Sequence, residues 1–414
     1  MALSCKDSTV PRLMLLSFLE FGIWGAYLTS IGIYLFKVGL GGEIGWFFAV
    51  QGIASIFMPS AMGCIADKWL PAEKVLASCH ALAAVFMAVV GYTGMVKGAD
   101  VTFAELFVPY ALSVAFFMPT VALSNSVSFI VLAKKGIDTV RVFPRIRVLG
   151  TVGFILSMWM TDLLGFKDSY CQFFSAAVLG SVMALYSLTI PSCPPKGSGK
   201  GATFLSRMGV DAFSLLADKR MAVFFLFAVL LGAALQVSNG YTGAYLGSFA
   251  DMPEYKGTFA VEHPVIMTSL SQISETLCIL LIPFFLKRYG IKKVMIIAML
   301  AWVARFLLLG IGNPAGGVWM FVLSMAVYGV AFDFFNISGS LYVNSRVDEK
   351  RRSGAQGLFM LAANGLGTFL GMIAAQKIVN LSLATGGWTM AWSVFAAYAA
   401  LMAVLFALFF KDDK

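Results

Sequence analysis

Apolar residues run through this chain in long stretches, and short polar segments separate them. A bilayer core of about 30 Å needs roughly 20 apolar residues in helical form. Stretches of that length read near 12–36, 44–65, 75–96, 103–132, 148–166, 170–190, 221–247, 264–286, 291–312, 317–343, 355–379 and 388–410, twelve in all. Prolines inside the runs, such as Pro59, Pro119 and Pro283, are tolerated in membrane helices. The first run extends from near Leu13 past Tyr34, too long for a signal-peptide core and without a clear cleavage site, so no cleavable signal is expected. The pattern predicts an all-α, multi-pass membrane protein with twelve transmembrane helices.

The polar breaks set the expected orientation. With a cytoplasmic N-terminus, the inner segments hold 24 of the 30 Lys and Arg residues, among them Lys134, Lys135, Arg141, Lys287, Arg288, Lys292 and Lys293. The outer loops hold Lys37, Lys97, Lys167, Lys256 and Lys377, and Arg305 falls inside a span. Such a bias follows the positive-inside rule and puts both termini in the cytoplasm. The longest polar stretch opens with PSCPPKGSGKGATFLSR and reads as a linker. It divides the chain into an N-terminal six-helix half (1–190), a cytoplasmic linker (191–220) and a C-terminal six-helix half (221–414).

Composition agrees with lipid as the solvent. Hydrophobic residues make up 59% and charged residues 12% of the 414 positions, with mean hydropathy +0.85. A soluble domain is usually about 25% charged. The net charge of +9 would suggest nucleic acid in a soluble protein, but here it lies in loops on one side, so no nucleic-acid partner is expected. Cys5, Cys64, Cys79, Cys171, Cys193 and Cys278 are scattered without a CxxC pair, and they predict neither a disulfide framework nor a metal site.

Ionisable groups inside spans are costly and are functional candidates. The deep ones are Glu20, Glu275, Arg305 and Asp333, with Arg147 where the fifth span begins. Helical spacing adds polar and aromatic companions. Arg147, Thr151 and Phe154 share one face; Gln236 and Asn239 share another, and so do Gln272 and Glu275. Tyr328 and Phe332 share a face with Asp333 beside them and Asn336 one turn beyond. For Gln236, Asn239 and Asn336 taken singly, helix-to-helix bonding explains the amide as well as ligand contact does. Arg305 is expected to neutralise a carboxylate from a neighbouring helix. His80 and His263 read as isolated, with no assigned role. Together, four helices from both halves present faces suited to a polar heterocyclic ligand.

Weak similarity between the halves, SNSVSFIV from Ser124 against FNISGSLYV from Phe335, fits the internal repetition of the major facilitator superfamily. Gly63, Asp67 and Lys68 match that superfamily's loop signature, although Leu70 stands where Gly is usual. More specifically, FPRIRVLGTVGF, LLGAALQVSN, SQISETLCILLIPFFLKRYGIK and VYGVAFDFFNISGS resemble the bacterial nucleoside:proton symporter family, as do SFLEFGIWGAYLTSIG and IADKWL. The resemblance covers nearly the whole chain. It implies major facilitator architecture, a place in the bacterial inner membrane and import of nucleosides with protons. The substrate site is then expected between the two halves. By motif, the binding residues would be Arg147, Thr151, Phe154, Gln236, Asn239, Gln272, Glu275, Tyr328 and Phe332. Asp333 is the first choice for proton coupling, with Glu275 and Glu20 as alternatives. The resemblance implies Gln at this place in helix 1, where this chain has Glu20.

A neutral nucleoside gains nothing from the membrane potential, whereas a proton gains roughly 2.3 kcal/mol per 100 mV. Coupling therefore needs a buried acid able to hold a proton near neutral pH. No cofactor is expected, and a monomer in the bilayer is. A proton symporter of sugars or another small polar metabolite is the alternative. A membrane enzyme is not favoured, because the two histidines are unclustered and neither HExxH nor GxSxG occurs.

Overall fold

The computed structural model describes residues 8–195, 210–348 and 352–410. Cys5 and most of the basic linker lie outside them. Among the described residues there is no β-strand, and nine stretches are helical, long and apolar enough to cross a membrane. Leu185, Leu280 and Leu408 are each more than 60% exposed. Such side chains are at home against lipid.

The chain divides into two compact units, residues 1–34 with 57–204 and residues 35–56 with 205–414. The first holds α1 (Thr9–Gly25), the end of α3 (Ile44–Lys68), α4 (Ala72–Lys97), α5 (Phe103–Lys134), α6 (Thr139–Leu163) and α7 (Cys171–Ser187), with α2 (Ile31–Lys37) starting at its boundary. Local sequence sets the ends. Thr102 and Glu105 form a capping box at the start of α5, and Asp138 accepts from the Arg141 amide at the start of α6.

The expected first span is interrupted. Helix α1 stops at Gly25 and α2 starts at Ile31. Unsatisfied backbone at this depth would be costly; local turn bonds such as Leu28 N–H to the Trp24 carbonyl and Ile31 N–H to the Tyr27 carbonyl meet most of it, and buried side chains pack and bond around it. Thr161 Oγ1 donates to the Ala26 carbonyl at 2.9 Å, and Ser30 Oγ lies 2.9 Å from Gln172 Oε1. The Gln172 amide in turn donates to the carbonyls of Lys167 and Ser169. Helices α1 and α6 approach very closely. A Cβ on Gly153 would overlap the Phe18 backbone, and one on Gly25 would overlap the Phe154 backbone, so only Gly fits at this crossing.

The second unit holds α8 (Lys219–Ser248), α9 (Pro264–Cys278), α10 (Ile282–Ile311), α11 (Val318–Ser345), α12 (Arg352–Met360), α13 (Thr368–Thr385) and α14 (Gly387–Phe409). A π-helical segment, Leu361–Gly367, joins α12 to α13 and packs on α8. Helix α10 is two helices joined at Gly290, whose φ of 75° is a conformation that favours glycine. The start of α3 belongs here through Gln376. Its Oε1 accepts from the Gly45 amide and the Tyr241 hydroxyl, and its Nε2 donates to the Gly41 carbonyl and Asn380.

Candidate functional site

Four helices of the second unit bring most of the expected residues together. Arg305 on α10 is only 1% exposed. Its Nε donates to Ser238 Oγ on α8 at 2.8 Å. Its Nη1 donates to the Ser324 carbonyl on α11 at 2.7 Å and lies 3.3 Å from Ser271 Oγ on α9. The expected ion pair with a carboxylate is therefore replaced by hydroxyls and a carbonyl. A guanidinium has five donors in a fixed fork, and uncharged acceptors satisfy it in the interior as long as each N–H is met. The guanidinium carbon also lies 4.7 Å from the ring centre of Tyr328.

Tyr328 links this cation to the amide face. Its hydroxyl donates to Asn239 Oδ1 at 3.3 Å. Its ring meets Trp302 edge-on at 5.9 Å and stacks with Phe332 at 6.1 Å. Gln236 and Asn239 are half-buried one turn apart on α8, and Gln272 and Glu275 are half-buried one turn apart on α9. Asp333 is 3% exposed, and its Oδ2 has no hydrogen-bond partner. Glu275, Cys278 and Tyr328 lie within its electrostatic reach. Helices α9 and α11 are locked at this level, where Ser274 Oγ donates to the Ala326 carbonyl and accepts from the Gly329 amide at 3.3 Å.

Beside this cluster is a recess lined by Leu235, Trp302, Phe332, Phe335, Asn336 and Asn364, among others. It gives the centre of a water molecule about 20 Å³, enough for about one water. Asn364 sits in the π-helical segment, a distortion often found at functional sites. Sequence periodicity missed Ser238, Ser271, Ser324, Trp302 and Asn364. The only signal for the serines was that Arg305 needs acceptors.

The first unit carries the remaining expected residues. The Arg147 guanidinium lies 3.9 Å over the ring centre of Phe21. Thr151 is half-buried, and Phe154 is 8% exposed with its backbone against Gly25. Glu20 belongs to a different group. Its Oε2 is 2.9 Å from His80 Nε2, and Thr120 Oγ1 is 2.6 Å from its Oε1. His80 is thus not isolated as the sequence suggested. Among the described residues no cluster of three or more His, Cys, Asp or Glu could hold a metal.

A buried acid with an open oxygen, flanked by amides and aromatic rings, suits a polar ligand and a proton. The comparisons with known proteins point the same way. The family model described as "Nucleoside H+ symporter" matches residues 8–414. This chain belongs to that family. Within it, the nucleoside permease NupG of Escherichia coli K12 is 43% identical over 408 residues, covering 97% of this chain and 95% of the permease. The xanthosine permease of the same organism is 44% identical over 409 residues, covering 98% and 96%. The crystal structure of the nucleoside transporter NupG superposes with a TM-score of 0.90 at 41% identity, covering 98% of this chain and all of that one. In this nucleoside H+ symporter the sequence motifs and the buried cluster of α8–α11 coincide.

Proposed function

We propose that this protein imports nucleosides across a bacterial cytoplasmic membrane by proton symport, through alternating access. The observation that carries the reading is Asp333, an almost fully buried carboxyl with an unpartnered oxygen, set among Asn239, Glu275, Tyr328 and Phe332. An ionised carboxylate there would be a buried charge without a compensating hydrogen bond, and binding a proton removes that cost. Asp333 is the proposed proton carrier, and Glu275 is the acid whose charge it senses.

Gln272 and Glu275 are proposed to hold the ribose hydroxyls, and Gln236 and Asn239 to read other polar atoms. Tyr328 and Phe332 would pack on the base, where stacking on aromatic side chains contributes roughly 1–3 kcal/mol per base in nucleic-acid complexes. Arg147, Thr151 and Phe154 are added on their shared helix face and the family resemblance. Arg305 acts through others. It fixes Ser238, Ser271 and Tyr328, each of which neighbours or bonds a proposed ligand residue.

We read twelve crossings. One of the nine long apolar stretches, Pro264–Ile311, bends at Gly290 and counts twice. The interrupted pair α1 and α2 and the shorter Cys171–Ser187 add the remaining two. The Lys and Arg bias supports cytoplasmic termini. The relatives are permeases, which supports a transport role without chemical conversion, and a monomer is proposed as the working unit.

The test is a calorimetric binding screen of the purified protein against uridine, adenosine, xanthosine, free bases and sugars. Nucleosides are expected to bind and sugars not to compete. Binding of glucose or lactose with displacement by no nucleoside would replace this reading with sugar symport.

A further inference from the structure

The first unit contains a buried titratable group that the Asp333 mechanism leaves unused. Glu20 on α1, His80 on α4 and Thr120 on α5 are each 0% exposed. The carboxylate of Glu20 has two polar partners, His80 Nε2 at 2.9 Å and Thr120 Oγ1 at 2.6 Å. Thr120 Oγ1 is also 2.6 Å from the Phe117 carbonyl. A hydroxyl has one hydrogen, and so it can donate to only one of these two acceptors.

Counting hydrogens gives two arrangements. In the first, Thr120 donates to the Phe117 carbonyl, a protonated Glu20 Oε1 donates to Thr120, and His80 Nε2–H donates to Glu20 Oε2. Both short contacts of Thr120 then contain a hydrogen and no net charge is buried. In the second, Glu20 is ionised and Thr120 turns to it. The contact with Phe117 then holds no hydrogen, and a negative charge sits in the interior of three helices. A charged imidazolium would instead leave its Nδ1–H as an unmet donor, since His80 Nδ1 has no partner. An unmet charged donor is costlier than an unmet lone pair. The first arrangement fits the distances with the least buried cost.

Among the described residues the nearby charged groups have partners of their own. On α4 the neighbouring Cys79 senses Glu20, and Tyr27 and Tyr110 pair with each other at 6.1 Å between ring centres. On α6, Arg147 lies on the ring of Phe21, and Asp162 bonds Lys167 at 2.9 Å. Helix α7 carries no acidic or basic residue. The Phe117 ring sits edge-on to His80 at 6.1 Å. A void lined by His80, Ser113 and Tyr27 gives the centre of a water molecule about 10 Å³, close to the space one water needs.

We propose that Glu20, held by His80 and Thr120, is a second proton-binding site in the N-terminal unit, loaded and emptied once per transport cycle. It rests on the symport reading and adds a second coupled proton to that of Asp333. The loaded form is the neutral carboxyl. The emptied form is the carboxylate, accepting from both Thr120 and His80, and the two differ by one proton and by the direction of the Thr120 hydroxyl.

Glu20→Gln mimics the loaded form, because the amide can donate to Thr120 and accept from His80. The experiment uses the full-length protein in liposomes containing a pH-reporting dye, with an imposed inside-negative potential and radiolabelled uridine. The variant is expected to keep uridine-for-uridine exchange and to move about one proton fewer per uridine than wild type. Losing that proton lowers steady-state accumulation by on the order of 50-fold at 100 mV. An unchanged proton-to-uridine ratio would overturn the proposal and leave Glu20 as a structural hydrogen-bonding group. Should Glu20→Gln fail to fold, difference infrared spectra of the wild type during a uridine cycle decide the matter. A carboxylic acid band that comes and goes, and survives in both Asp333→Asn and Glu275→Gln, supports the second site; its absence refutes it. Wild-type uridine uptake with no proton movement would instead refute symport itself.

Discussion

Arg305→Lys tests whether a buried cation organises the site through uncharged partners. Arginine makes two short charge-assisted bonds, 2.8 Å to Ser238 and 2.7 Å to the Ser324 carbonyl, and lies 4.7 Å from the ring centre of Tyr328. Each such bond contributes about 1.5–3 kcal/mol, and a desolvated cation–π contact about 2 kcal/mol. A lysine ammonium keeps the charge but has no Nε–H and no planar fork, so it can recover about one of the two bonds and part of the ring contact. The net loss is about 2–4 kcal/mol. Part of it is expected as lower thermal stability in detergent. Part is expected in binding, because Ser238 precedes Asn239, Ser271 precedes Gln272, and Tyr328 bonds Asn239. With about half the loss in binding, the Kd for uridine by calorimetry should rise by roughly 5- to 30-fold, since 1.4 kcal/mol is tenfold. The number of protons moved per uridine should not change. Wild-type stability and affinity in Arg305→Lys would refute the positioning role. Normal affinity with lost coupling would assign Arg305 to the proton site instead.

Other expected outcomes address packing and ligand contact. Gly153→Val forces α1 from α6 at the Phe18 backbone and should cost about 1–3 kcal/mol, seen as a lower unfolding temperature in detergent. Gln376→Leu leaves the Gly45 amide and the Tyr241 hydroxyl without their buried acceptor and should cost about 2–4 kcal/mol in the same measurement. Phe332→Leu removes a stacking ring and should weaken uridine binding by about 1–3 kcal/mol, with ribose alone unaffected.

Much of this was readable in the amino-acid order, because lipid enforces one rule on every span. Apolar length located the helices, and the i, i+3 and i+4 faces found Asn239, Glu275, Tyr328 and Asp333, which the fold brings to one cluster. What was missed has a common cause. Spacing along one helix does not reveal partners on another, so Arg305 was expected beside a carboxylate and instead found serines and a carbonyl. His80 was read as isolated for the same reason, although its partner Glu20 lies 60 residues away in the chain. The break between Gly25 and Ile31 was hidden because its backbone is satisfied by local turns and by Thr161, which comes from a later helix.

The central claim is that one carboxyl in the second unit couples nucleoside movement to a proton. The most direct measurement adds uridine to dye-loaded liposomes containing either the wild type or Asp333→Asn, and follows internal pH together with uridine counterflow. The account predicts acidification in step with uridine entry for the wild type, and for Asp333→Asn about one proton fewer per uridine and a correspondingly lower uphill accumulation, with counterflow intact. Uridine-linked acidification and accumulation in Asp333→Asn equal to those of the wild type would contradict it.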